Sequence, residues 1–398
     1  MCSSISSNIL PEPPEELKCV SNRLAEEIRA KIRLNGPIEF SEYMEMALYE
    51  PGLGYYSAGL QKFGEGGDFV TAPQLGNVFA RCLAVQVSQL AAELDDYEIV
   101  EAGAGSGILA ADLLKELQEK HPPRCYRILE RSAHLRQVQK ETLARYVPQW
   151  MDRISWLDEP PIENWQGVFL ANEVLDALTV DRFCINGSSI DQLLVTEGPD
   201  GFNWLKGPCR SGMQTQIQAV LSTLEQRPAD GYCSELNSNL PAWLQAVTAS
   251  MQKGLALFID YGYTRQDYYK PQRRDGTLIC HYQHRAHNDP FKWPGLTDIS
   301  ASVDFTALAE AADFCELEVS GYTSQAMFLL ACGLEGLLAE FEHLTERERL
   351  KMNNQVRKLT LPDEMGERFQ VMALSRGLDE DLGNNLQGFS ISDLTYRL

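Results

Sequence analysis

The chain has 398 residues, a hydrophobic fraction of 44%, a charged fraction of 23% and a formal net charge of -21. That is the make-up of a folded globular chain with room for one large core or two modest ones, and it excludes wholesale disorder. The acidity, with no Lys/Arg cluster to offset it, argues against nucleic acid and for a cationic or basic partner, unless it merely aids solubility.

Residues 1–17 carry acids and no apolar segment, so they read as a flexible leader and not as a signal peptide. With no transit pattern visible, the expected location is cytoplasmic. No run of about 18 apolar residues occurs, so no membrane insertion is expected. The ten cysteines include no CxxC pair; they argue against zinc and read as reduced core residues. Lys18 to Leu34 has helical spacing, and a second helix closes at Pro51-Gly52. The glycine-dense stretch Ser57 to Pro73 is longer than a plain connector. Loops of this length are often lids or binding loops, which makes Gly67 and Asp68 candidates for cofactor contact; a packed loop is the alternative. Asn77 to Leu94 then places Val78, Phe79, Leu83, Val87 and Leu90 on one helical stripe.

From Tyr97 the pattern becomes strand, helix, strand. Strand-like runs occur at YEIVEA, CYRILE, ISWL, GVFLAN and LALFIDY, with helical runs between the first three and Ser132 as N-cap of a helix from Leu135 to Tyr146. Alternation of this kind predicts an α/β fold, a mostly parallel sheet with helices on both faces, and a ligand beyond the carboxyl ends of the strands. Between Phe183 and Lys253 the alternation breaks into a hairpin turning at Pro199-Asp200-Gly201 and two helical stretches. CELEVSGYT and RFQVMALSRG supply two late strands. The expected domains are N-terminal helices and the glycine-rich loop over 18–95, then a sheet domain over 96–398 with insertions near 184–253 and 325–360.

Gly103, Gly105 and Gly107 follow Glu101 as ExGxGxG. Such glycines let a ligand approach a helix N-terminus closely. A dinucleotide site reads GxGxxG, and Ile108 stands where its third glycine belongs. Glu101 weighs further against a diphosphate: at about 4 to 6 Å and an effective dielectric of about 20, each like-charge pair costs about 3 to 4 kcal/mol. S-adenosylmethionine has no phosphate and carries an ammonium and a sulfonium, which the acid attracts. Glu130 closes the second strand, where an acid can accept both ribose hydroxyls of an adenosine. Glycines for helix packing and two solvated acids are the alternative.

These residues carry a resemblance. The segments YEPGLGYYS, GGDFVTAPQLG, VEAGAGSGILAADLL, YRILERSAHLRQVQ, ANEVLDAL, IDYGY, GTLICHYQHRAHNDP, DISASVDF and LPDEMGERFQVMAL occur in order along nearly the whole chain. They resemble the MidA family of class I S-adenosylmethionine-dependent methyltransferases. The resemblance implies a Rossmann-like seven-stranded class I methyltransferase sheet with a helical N-terminal region and helical insertions. It also implies S-adenosyl-L-methionine as cofactor, with Glu101, Gly103, Gly105, Gly107 and Glu130 on cofactor-binding positions. The family's mitochondrial branch is known as a complex I assembly factor and protein arginine methyltransferase, so the implied substrate is an arginine of a protein. An assembly or chaperone factor with little turnover is the alternative. The chain departs from the family at Ala72-Pro73-Gln74, where SPE is common, and at Thr179, where Pro is common.

Asn172, Glu173 and Asp176 leave the fourth strand at the edge where the methyl group belongs. The i, i+3 spacing of Glu173 and Asp176 puts both carboxylates on one side of a helical turn, suited to a guanidinium; helix capping is the alternative. Asp260 and Tyr261 end the fifth strand and are candidate substrate contacts. His284 and His287 have the pKa range of a general base, with His284 the catalytic candidate and His287 the substrate one; a structural role for both is the weightier alternative. Their spacing is not that of HExxH and no third ligand is evident, so no metal is expected.

Overall fold

The computed structural model describes residues 10–59, 71–340, 343 and 345–398, which form two compact units. The first unit holds the described residues before Thr71 together with Ala177–Ser238 and Tyr269–Ala301. The second holds Thr71–Asp176, Asn239–Tyr268 and Ser302–Leu398. This division interleaves along the chain and differs from the linear one expected: the N-terminal helices join the insertion, while residues from Thr71 to 95 join the sheet.

In the first unit, helices α1 (Glu15–Asn35) and α2 (Phe40–Tyr49) accompany strands β5 (Asp181–Asn186), β6 (Ser189–Gly198), β7 (Gly201–Pro208) and β8 (Cys233–Leu236) and helix α7 (Ser211–Thr223). The four strands form an antiparallel sheet in the order β7-β6-β5-β8. A second antiparallel sheet joins β10 (Ile279–Tyr282), β11 (Arg285–His287) and β12 (Asp298–Ser300) in the order β11-β10-β12. Leu24, Ile28, Phe40, Tyr43, Met44, Val195, Phe202, Cys280 and Ile299 make its core. Arg182 is buried because Glu235 and Asp275 take its guanidinium at 3.0 and 2.7 Å. Cys184 and Cys233, directly opposed on β5 and β8, are joined as a disulfide, against the expectation of reduced thiols. Sheet register brings them together from 49 residues apart, a distance at which spacing offers no cue.

The second unit is built on strands β1 (Glu98–Ala102), β2 (Cys125–Leu129), β3 (Ile154–Leu157), β4 (Trp165–Asn172), β9 (Met251–Tyr263), β13 (Val303–Asp304), β14 (Glu318–Ser324) and β15 (Phe369–Arg376). The order is β14-β15-β9-β4-β1-β2-β3, with β13 paired onto β9. β3, β2, β1, β4 and β9 run parallel, and β15 lies antiparallel between β9 and β14. This is the expected Rossmann-like methyltransferase sheet. β1 is buried along its whole length, as the continuous run EIVEA requires of a strand covered on both faces.

Helices α3 (Ala72–Leu75), α4 (Val78–Ala91), α5 (Ile108–Leu117), α6 (Ala133–Tyr146), α8 (Leu240–Thr248), α9 (Arg265–Tyr268), α10 (Phe305–Phe314), α11 (Gln325–Ala331), α12 (Leu334–Glu340), α13 (Glu346–Thr360) and α14 (Glu380–Asn384) complete the unit. Phe79, Leu83, Val87 and Leu90 of α4 bury the predicted stripe in one core with Leu109, Leu113, Ile99, Val168 and Leu257. Ser132 caps α6 by accepting the Leu135 N–H at 3.3 Å. The helix expected over PAWLQAVTASMQK stops at Thr248, because its last residues open β9. Strand order reverses between β1 and β4, so the carboxyl ends of those two strands mark where a ligand of this fold belongs.

Candidate functional site

β1 ends at Ala102 and the chain turns through Gly103, Gly105 and Gly107, whose φ angles are 62°, 52° and 79°. A left-handed turn of this kind strains any residue with a Cβ. Space is short as well: a Cβ on Gly103 would lie 3.1 Å from Val174 Cγ2, and one on Gly107 would lie 3.2 Å from Gln139 Cα. The turn therefore sits between the loop after β4 and helix α6, and α5 starts directly behind it with Gly107 as N-cap. Glu101 is 2% exposed and accepts the Tyr126 hydroxyl at 2.9 Å on Oε2. Burial pushes its carboxyl up to about 7, helped by the charge of Glu130 and opposed by the Tyr126 bond. Glu130, buried just past β2, takes the Ser132 N–H on Oε1 at 2.9 Å and the Gln139 amide on Oε2 at 3.0 Å.

Across the turn, β4 delivers Asn172 and Glu173. Glu173 has φ 55° and is anchored by its N–H to Ile259 O at 2.8 Å, so the chain leaves the sheet abruptly there. Its carboxyl accepts Asn172 Nδ2 at 3.2 Å on Oε1 and receives a backbone hydrogen bond from Ala72. Desolvation and then the charge of Asp176 raise it to about 8. Asn172 Oδ1 is buried with no hydrogen-bond partner among the described residues. A left-handed glutamate beside an orphaned acceptor is strain of the kind found at functional sites.

Asp260 follows a different course from the substrate contact expected of it. It is 1% exposed, and its Oδ2 accepts the N–H groups of Val174, Leu175 and Asp176 at 3.1, 2.9 and 3.2 Å. Its Oδ1 accepts the Tyr261 N–H at 2.9 Å. Burial, Asp176 and Glu173 push this carboxyl well up, while the backbone donors pull it down. Its geometry is that of a clamp tying the end of β9 to the loop that carries Glu173. The Tyr261 ring meets Phe369 edge-on at 5.7 Å.

His284 and His287 belong to the first unit. Gln283 and His284 form a two-residue turn between β10 and β11 with φ angles of 48° and 61°, which leaves His284 exposed at the hairpin tip. Half-buried His287 accepts the Asp289 N–H on Nδ1 at 3.3 Å, so its neutral form carries the proton on Nε2, which is buried and unpartnered. Burial lowers its pKa. Gly67 and Asp68 lie outside the described residues. Among the described residues no group of three or more His, Cys, Asp or Glu could hold a metal ion, and no helix is long and apolar enough to cross a membrane.

Tyr126, Gln139 and Trp156 escaped notice in the sequence. Gln139 falls on the buried stripe Leu135, Gln139, Leu143 of α6, and an amide in such a stripe is itself a signal of a required hydrogen bond.

The model of a family described as "Putative S-adenosyl-L-methionine-dependent methyltransferase" matches residues 78–323, more than half of the chain. The chain belongs to that family. The methyltransferase is 39% identical to a COG1565 superfamily member from Burkholderia thailandensis solved with bound S-adenosyl-homocysteine. That structure superposes with a TM-score of 0.91, over 98% of this chain and 100% of the other. The rat "Protein arginine methyltransferase NDUFAF7, mitochondrial" is 29% identical, covering 86% of this chain and 82% of its own. The zebrafish protein of the same name is 26% identical over 89% and 87%. The methyltransferase takes S-adenosyl-L-methionine as its cofactor, as its family description states. The cytoplasmic location expected from the leader is overturned by these relatives, which are named as mitochondrial.

The raised acids fix a sign for stability. Glu101 and Glu173 keep their protons in the fold to about 7 and about 8, whereas an unfolded glutamate loses its proton near about 4.3. Between those values the unfolded chain binds fewer protons at these two positions, so their contribution to stability is fullest below about 4.3 and is lost as pH rises through about 7 and about 8. Thermal melts of the cofactor-free protein should show this fall. Glu173→Gln should flatten it and raise Tm by about 2 to 4 °C at about pH 9, the shift that about 1 kcal/mol produces in a unit of this size.

Proposed function

We propose that the methyltransferase modifies an arginine side chain of a protein substrate, held at the carboxyl end of β4. When bound, S-adenosyl-L-methionine supplies an electrophilic methyl group, and the chain's task is to hold the acceptor nitrogen in line with it. Glu101, Gly103, Gly105, Gly107 and Glu130 are assigned to the cofactor. Asn172, Glu173 and Asp176 are assigned to the acceptor. Asp260 is assigned to positioning the loop that carries Glu173. His284 is given no catalytic part, because an exposed turn tip offers neither desolvation nor a fixed partner.

The observation that carries this reading is the orphaned acceptor at the β4 edge beside a buried acid. Among the described residues Asn172 Oδ1 has no donor, and burial with a neighbouring acid holds Glu173 neutral to about 8. A guanidinium brings five N–H donors in a plane and a delocalised charge, so one group fills the orphaned acceptor and compensates the carboxylate that ionises to receive it. A lysine ammonium offers a point charge and matches the fork less well. The names of the rat and zebrafish relatives support the same acceptor.

Transfer of labelled methyl groups to lysate proteins, with mass spectrometry to place the label, tests the reading. Label should fall on arginine. Glu173→Gln should lower transfer about 100-fold or more while cofactor affinity stays within about threefold. Because Glu173 must ionise to hold the guanidinium, wild-type transfer should rise with pH toward about 8. Asp176→Asn should move the midpoint lower, since it removes a charge that raises Glu173. Label confined to lysine, or transfer indifferent to both substitutions, overturns the assignment.

A further inference from the structure

Gln139 is fully buried on α6, and every polar atom of its amide is engaged. Nε2 donates to Gly105 O at 3.1 Å and to Glu130 Oε2 at 3.0 Å. Oε1 accepts the Trp156 indole N–H at 2.9 Å. One side chain thus ties together the glycine turn after β1, the acid after β2 and strand β3. The amide orientation is forced: reversed, its oxygen would face a carbonyl and a carboxylate while its NH₂ faced an N–H.

Between Leu135 and Leu143 on the helix stripe, burial alone calls for leucine. An amide there is costly unless all its bonds are made. What the bonds accomplish is visible at Glu130. The Ser132 N–H on Oε1 and the Gln139 amide on Oε2 fix the plane of the carboxylate. A vicinal diol can engage both oxygens of a carboxylate held in this way.

We propose that Gln139 is a positioning residue for nucleoside recognition: it locks Glu130 to the glycine turn so that the site selects adenosine ligands bearing both ribose hydroxyls. The inference rests on the assignment of Glu130 to the ribose. A ligand lacking one hydroxyl forgoes one of the two bonds to a carboxylate whose plane is fixed, and rigid polar sites reject such analogues strongly.

Calorimetry with S-adenosylhomocysteine and its 2′-deoxy analogue provides the test, using Gln139→Leu, Gln139→Glu, Trp156→Phe and Glu130→Gln. Gln139→Leu should weaken S-adenosylhomocysteine by about tenfold or more and erode its preference over the deoxy analogue, with kcat at saturating cofactor within about threefold of wild type. Trp156→Phe should do the same more mildly. Gln139→Glu places two buried acids in contact, so its affinity should recover as pH falls through a midpoint above the free glutamate value of about 4.3, where the new acid regains a donor proton; a space-filling role would give no such profile. That profile decides the matter if circular dichroism shows Gln139→Leu to be misfolded. Affinity and diol preference within about threefold of wild type in the Gln139 variants, alongside a large loss in Glu130→Gln, overturn the proposal alone. Unchanged binding in Glu130→Gln overturns the ribose assignment beneath it.

Discussion

A carboxyl group kept out of water at the end of a parallel strand is the constraint on which this site depends. Glu101 is 2% exposed and accepts the Tyr126 hydroxyl. An acid so placed is poorly tolerated as an anion until a cation arrives. The sheet order puts that acid beside the point where strand direction of growth reverses, and three left-handed glycines clear the space above it. A phosphate-bearing ligand would meet like charge there, whereas a sulfonium nucleoside meets its counter-ion. The family description names S-adenosyl-L-methionine as the cofactor, and the proposed place of Glu101 beside it accounts for that choice.

The same logic repeats one strand away. Glu173 is raised to about 8 by desolvation and Asp176, and it is held in a left-handed conformation between Asn172 and the N–H groups clamped by Asp260. Two ligands, one on each side of the glycine turn, would each relieve an unfavourable buried acid. Val174 Cγ2 lies 3.1 Å from where a Cβ on Gly103 would stand, so the loop carrying Glu173 approaches the glycine turn closely. Differential stabilisation of that sort favours the loaded state over the empty one without any large motion.

Local patterns were legible in the residues, and partners distant in sequence were not. ExGxGxG, the acid two dozen residues on, the α4 stripe and the Ser132 cap all depend on neighbours within a few positions, and a mostly parallel sheet follows from the alternation they define. Asp260 was read as a substrate contact because its partners, Val174 to Asp176, lie 84 to 86 residues earlier. Gln139 was passed over because its three partners lie 9 to 34 residues away on three elements. The two-unit division interleaves three segments with three, which no linear reading of composition reveals. His284 was a candidate base by residue type, but only the register of β10 with β11 shows it at an exposed turn.

Proton release on cofactor binding tests the central claim most directly. Calorimetric titration of S-adenosyl-L-methionine near pH 7, in two buffers of different ionisation enthalpy, counts the protons expelled. With Glu101 poised at about 7, a bound cation should drive off about half a proton at that pH, and Glu101→Gln should abolish the release while weakening binding. Binding with no proton release in the wild type, or with equal affinity in Glu101→Gln, would contradict the account.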